Sequence, residues 1–420
     1  MGTALKSYSL VFIYTLFVFV SIPYARVVRD FIADNFSRNF FGYFVFAVIA
    51  AGFLSAVFFI TTGSITKNKK KYLWLGCVTA AYCYGTLKLW KCPEDAIHFI
   101  TYGVLSCLLF RALSFHIQDI SIYFTASLIV LFIGTVDEVI QWFIPDRVWN
   151  YKDVGVNCLS GFLIQIGIWQ GIQPSRIKKA ISFDSIKIFF KVLTACIVLL
   201  GLCALNTPSR IAYYTEKIPQ LSFLRQNHNI MSEYGYKHKD VEIGVFYSRL
   251  TKEALKDIDS REYKTYALIL NEQPDADYAY KKFLKKYTPF NYPFLYEMRI
   301  HLYRRDVYLS LAKDPNNTPS KIKNALAVAY KENLILEKYF NQTLQHSIFY
   351  WSRQEVNEIK KNIDTTSYYE SPVSRDLFTS FNELHVWFAV ITVFSCLFII
   401  PNILKRYFRS KAFHAKSSLG

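Results

Sequence analysis

Eight stretches of roughly 18–25 mostly apolar residues constrain this chain more than any other feature. They lie near 8–25, 39–62, 72–90, 96–115, 120–142, 154–172, 186–205 and 384–404. Each is long enough to cross a bilayer as a helix. The sixth is the weakest, because Asn157, Gln165 and Gln170 interrupt it. The first lacks a small-residue cleavage site and reads as a retained anchor. The expected fold is an α-helical polytopic membrane protein with about eight transmembrane helices.

Residues 206–383 break the pattern. They are polar and rich in Lys, Glu, Asp and Tyr. Helix signals dominate there. In 317–340 Thr318 is placed as an N-cap, with Pro319 at the first helical position. The stretch 352–363 opens on a capping box from Ser352 to Glu355. Residues 292–314 and 251–258 read as further helices, and 240–250 as the best strand. A mostly α-helical extracytoplasmic domain is therefore expected, inserted before the last span. His301, Arg304 and Arg305, with Asp306, read either as a solvated charged face or as a phosphate or glycan site. Lys281, Lys282, Lys285 and Lys286 read as an exposed helix side, or as a face that touches anionic head groups.

The net charge of +17 does not imply a nucleic-acid partner. The cations concentrate in short segments beside apolar runs: "TKNKKKY" (66–72), "SRIKKA" (175–180) and "KRYFRSKAFHAK" (405–416). Cationic loops stay on the cytoplasmic side. Placing all three there puts both termini inside, and 26–38, 91–95, 144–153 and 206–383 outside. The loop 26–38 fits least well, since it carries Arg26, Arg29 and Arg38. All eight cysteines lie in or beside the spans. No spacing suggests a metal, haem or other cofactor.

With that topology, "DEVIQWFIPDRVWNYKDVGVN" (137–157) is the outer turn between the fifth and sixth spans. Glu138 and Gln141 share a helix face at its start, and Asp153 and Asn157 share one at its end. Arg147 lies in the connection after Pro145. In "EDAIHFITYG" (94–103), Asp95, His98 and Tyr102 form one stripe at the outer end of the fourth span. Polar groups from three helix ends thus reach one level. Such groups are costly near hydrocarbon and are usually paired or functional. As a packing clamp, Arg147 would pair with Glu138 or Asp153, His98 with Asp95, and Asn157 would bond across helices. As a pocket, the same groups would bind a polar or anionic head group, with Arg147 gripping a phosphate or carboxylate in a two-pronged way.

The same residues carry a family resemblance. Asp95, His98, Phe99 and Tyr102, then Glu138, Gln141, Phe143, Pro145, Arg147, Asp153 and Asn157, resemble the pattern of the VanZ-like bacterial membrane proteins. The resemblance covers about 72–172. The chain departs from the pattern at Ala96, where a Lys often follows the Asp. It also has Ser160, followed by Gly161, where a Gly is common three residues after the Asn. The missing Lys removes one candidate cation. The resemblance implies a polytopic envelope protein of a family whose founding member is associated with resistance to the glycopeptide teicoplanin.

The expected organisation has five parts. These are two N-terminal spans (1–71), a VanZ-like core (72–172), a seventh span (173–205), the extracytoplasmic domain (206–383), and the last span with a basic tail (384–420). The expected setting is the bacterial inner membrane, with membrane lipids as neighbours. The preferred function is binding or remodelling of an envelope component, a lipid-linked or glycan precursor, through Asp95, His98, Tyr102, Glu138, Gln141, Arg147, Asp153 and Asn157. One alternative is a membrane-embedded transferase or hydrolase using Glu138 or Asp153 with His98 and Arg147. Another is a structural partner in an envelope assembly, with 206–383 as the surface for a protein partner.

Overall fold

Apolar runs become helices throughout the computed structural model, which describes residues 2–63, 68–144, 147–226, 230–272, 277–365, 367–397, 399 and 403. Pro145 and the basic tail 405–416 lie outside the described residues. The chain divides into two units, one of residues 1–203 with 387–420, the other of residues 204–386.

The first unit begins with α1 (Gly2–Ser21), a 3-10 turn at Ile22–Tyr24 and α2 (Ala25–Asn35). It continues with α3 (Asn39–Gly63), α4 (Lys69–Lys88), α5 (Ile97–Leu113), α6 (Ser121–Trp142), α7 (Tyr151–Ile166) and α8 (Phe183–Leu205). Among the described residues, five helices are long and apolar enough to cross a membrane: Gly2–Asn35, Asn39–Thr62, Pro93–Leu113, Ser121–Trp142 and Phe183–Leu205. α4 and α7 occupy the third and sixth expected runs but are less apolar. Residues 26–38, expected as a loop, are mostly the helix α2. Large apolar side chains such as Phe12, Phe17, Phe58 and Phe59 face outward, as suits a lipid-facing surface.

Side-chain contacts fix the helix directions. Tyr8 meets His116, and Tyr14 Oη donates to the Thr101 carbonyl at 3.1 Å, so α1 and α5 are antiparallel. Ser160 Oγ donates to the Phe99 carbonyl at 2.8 Å, and Gln165 Nε2 to Ser106 Oγ at 2.8 Å, so α5 and α7 run parallel. Between α6 and α7 the backbones approach closely. A Cβ at Gly134 would come 2.8 Å from Asn157 Cβ, and one at Gly161 would come 2.6 Å from Val130 Cγ1. Small residues at such crossings let dispersion and interhelical hydrogen bonds hold membrane helices together. α7 ends in a π turn, Gly167–Ile172, which Gln173 closes in the left-handed region at φ 53°.

The second unit contains α9 (Pro208–Lys217), α10 (Phe223–Gln226) and a hairpin of β1 (Tyr236–Asp240) with β2 (Gly244–Ser248). Then follow α11 (Lys252–Asn271), α12 (Asp277–Lys286), α13 (Pro293–Lys313), α14 (Pro319–Tyr339), α15 (Asn341–Gln345) and α16 (Arg353–Lys361). The last helix, α17 (Glu383–Leu397), carries most of the described part of the eighth run, and from Trp387 onward it belongs to the first unit. The capping box at Ser352 and Glu355 forms. α11 runs well beyond 258, because Asp259 is buried as a cap for α15, accepting from the backbone N–H of Gln342 at 2.8 Å and of Thr343 at 2.9 Å. On α12, Lys281, Lys282, Lys285 and Lys286 are exposed while Phe283 and Tyr287 are buried.

The solvated face expected at His301 and Arg305 is not there. Both are buried where α13 packs on α14. Glu332 explains it. Its carboxylate accepts from His301 Nδ1 at 2.6 Å, Arg304 Nε at 2.9 Å, Ser371 Oγ at 2.9 Å and Tyr369 Oη at 2.5 Å. Arg305 donates to Asn333 Oδ1 at 3.0 Å and to the Phe349 carbonyl at 2.8 Å. A buried charge is tolerated when it is paired and its hydrogen bonds are satisfied. Burial alone would raise the Glu332 carboxyl, but His301, Tyr369 and Arg304 outweigh it and hold the group below its ordinary value.

Candidate polar pocket in the helix bundle

The polar groups singled out in the sequence gather at one end of the first unit. That end is made by the close of α6, the starts of α5 and α7, and the turn between α1 and α2. Asp95 lies in a 3-10 turn, Pro93–Ala96, just before α5. His98 and Tyr102 follow on successive turns of α5, and their rings stack at 6.0 Å with 2° between planes.

A cavity of about 380 Å³ opens here. Asp95, His98, Tyr102, Gln141 and Arg147 line it, together with Asp137, Glu94, Arg26 and Arg29. Val18, Ile22 and Phe41 supply an apolar side. Glu138, Asp153 and Asn157 are not in its wall. Glu138 is buried behind Gln141, whose amide donates to it at 2.7 Å. Asp153 accepts from Asn150 Nδ2 at 3.0 Å. Asn157 is buried against Gly134, and its amide has no hydrogen-bond partner among the described residues.

Three expected pairings differ. Arg147 donates to Gln141 Oε1, and among the described residues it has no carboxylate within ion-pair distance. The reason is the amide's double character: Gln141 accepts from Arg147 at its oxygen and donates to Glu138 at its nitrogen, so it stands between the two charges. His98 stacks on Tyr102 instead of bonding Asp95, because the 3-10 turn takes Asp95 off the regular α5 spacing. Asn157 makes no bond across helices.

Asp137 is the central residue that spacing alone did not select. Its Oδ2 accepts from Tyr102 Oη at 2.7 Å and lies 3.5 Å from the Gln141 amide nitrogen. The available signal was its position four residues before Gln141, which puts both on one face. Arg26 and Arg29 were legible only as charges that fitted the topology poorly. Asp137 Oδ1 and Glu138 Oε2 are buried without a hydrogen-bond partner among the described residues. Such atoms are costly, and here they lie in and just behind the cavity wall.

The site thus offers guanidinium groups, carboxylates and an apolar flank within one small space. Among the described residues, no group of three or more His, Cys, Asp or Glu is placed to hold a metal ion. Comparison with family models, curated proteins and solved structures finds no match to the chain.

Proposed function

We propose that this chain is a multi-pass protein of a bacterial inner membrane, with about eight spans and a VanZ-like core. It binds an amphipathic envelope component, a phosphate-bearing lipid-linked glycan precursor, in the cavity at the end of the helix bundle. The observation that carries the reading is the make-up of that cavity wall. Arg26, Arg29 and Arg147 match an anionic group, Asp95 and Asp137 match hydroxyl or amide donors, and Val18, Ile22 and Phe41 match a hydrocarbon chain. The meeting of Asp95, His98, Tyr102, Gln141 and Arg147 in one cavity supports the family reading.

The test is binding of a polyprenyl phosphate to the full chain in detergent. Arg147→Ala weakens binding about thirtyfold or more, as expected when one partner of a desolvated charge pair is removed. Arg147→Lys recovers part of it, since a lysine keeps the charge but not the two-pronged geometry. Lys187→Ala, on α8 and outside the cavity wall, leaves it unchanged. Equal affinity in wild type and Arg147→Ala would defeat the proposal.

The orientation has its own test. In a variant with its cysteines replaced by alanine, an impermeant thiol reagent applied outside the cell labels a cysteine at Asn316 and not one at Lys69. Both positions are exposed on their own units. The opposite pattern reverses the topology and places the cavity on the cytoplasmic side.

A further inference from the structure

The other end of the helix bundle holds a second and larger cavity, of about 1080 Å³. It is distinct from the first: His98 and Arg111 are thirteen residues apart on α5, which is about 20 Å along a helix. Three cations from three elements line it. Lys71 lies in the first turn of α4, Arg111 in the last turn of α5, and Arg176 just beyond the π turn. The left-handed Gln173 that closes this turn is itself in the wall, as are Pro174 and Ser175. Among the described residues, none of these three cations takes part in an ion pair, unlike Arg29, Arg38 and Lys187 of the same unit. The rest of the wall is largely apolar. Two of its residues, Phe59 and Phe115, are also exposed on the outer surface of the bundle.

We infer that this cavity is a binding site for an anionic phospholipid, with Lys71, Arg111 and Arg176 around the head-group phosphate and the acyl chains against Phe59, Phe110 and Phe115. The charge is complementary, and basic pockets between membrane helices suit anionic head groups. The apolar wall that continues onto the outer surface favours a lipid over a free phosphate ion.

The experiment uses the full chain in neutral detergent and reads lipid retention by native mass spectrometry. Phosphatidylglycerol and phosphatidylcholine with the same acyl chains are supplied in turn. Phosphatidylglycerol is retained with at least about tenfold higher affinity, and Arg111→Ala with Arg176→Ala reduces that affinity about thirtyfold, from the loss of two surface-level cation contacts. The charge-keeping pair Arg111→Lys with Arg176→Lys stays within about threefold of wild type. Should the alanine pair fail to fold, Lys71→Ala alone lowers the affinity about fivefold. Equal retention of the two lipids overturns the inference, as does retention of phosphatidylglycerol unchanged by the alanine variants. Displacement of the lipid by millimolar inorganic phosphate assigns the site to the free ion and also overturns it.

Discussion

Replacing Glu332 by alanine lowers the thermal midpoint of the 204–386 unit by roughly 6–20 °C. The estimate comes from about 3–5 kcal/mol for leaving buried partners of an ion pair uncompensated, at about 2–4 °C per kcal/mol for a domain of this size. His301 and Arg304 lose the carboxylate that both donate to, and Ser371 and Tyr369 lose their acceptor. The measurement is temperature-dependent limited proteolysis of the full chain, with fragments mapped by mass spectrometry. Glu332→Gln keeps the volume and some acceptors, so it falls between the alanine variant and wild type. The pH dependence has a definite sign. A carboxyl held below its ordinary value contributes stability that is present above the unfolded value and lost as pH falls through the folded one. Wild type therefore loses this contribution below about pH 4, and Glu332→Gln shows a shallower acid limb. An alanine variant that melts with wild type would show that the network contributes nothing.

The second large effect concerns Tyr102 and Asp137. Asp137→Leu leaves the Tyr102 hydroxyl without its acceptor in the bundle interior, at about 1–3 kcal/mol. Tyr102→Phe leaves a buried carboxylate with one donor fewer, at a comparable or larger cost. Either single change lowers membrane abundance several-fold. Making both changes removes donor and acceptor together, which is nearly neutral, so abundance on immunoblots returns. Polyprenyl phosphate binding does not return with it, because Asp137 is part of the cavity wall. Recovery of abundance and binding together would make the pair a packing clamp and remove it from the ligand site.

Much of this was legible in the chain. Continuous apolar runs marked helices, because a segment of that length and hydropathy has few other stable states near hydrocarbon. The Ser352–Glu355 capping box was legible because its two hydrogen bonds are local. What failed were inferences about long-range partners. His301 and Arg305 read as solvated because charged residues on a helix usually are, and nothing in 292–314 reveals their partners on α14. Those partners are Glu332 for His301, 31 residues away, and Asn333 for Arg305, 28 residues away. Within the cavity, helical spacing selected Tyr102 and Gln141 but passed over Asp137, since it sits beside Glu138 and only the fold decides which of two adjacent carboxylates faces the opening. Arg147 reads in the sequence as an ion-pair partner or as a grip for an anionic group, because its charge is visible there. The intervening amide of Gln141 is not.

The parallel pairing of α5 with α7 carries a consequence for synthesis. Ser106 on α5 donates to the Gly161 carbonyl at 2.8 Å and accepts from Gln165, across sequence separations of 55 and 59 residues. Ribosomes add about 5–20 residues per second, so those partners emerge about 3–12 s after Ser106 does. During that interval α5 has been made, yet its polar groups face whatever surrounds it, whether lipid, insertion machinery or a membrane protease. The order of helices in the chain therefore imposes a waiting time on assembly. A translational pause between Leu113 and Tyr151 lengthens the exposure of α5, and rapid delivery of α7 ends it.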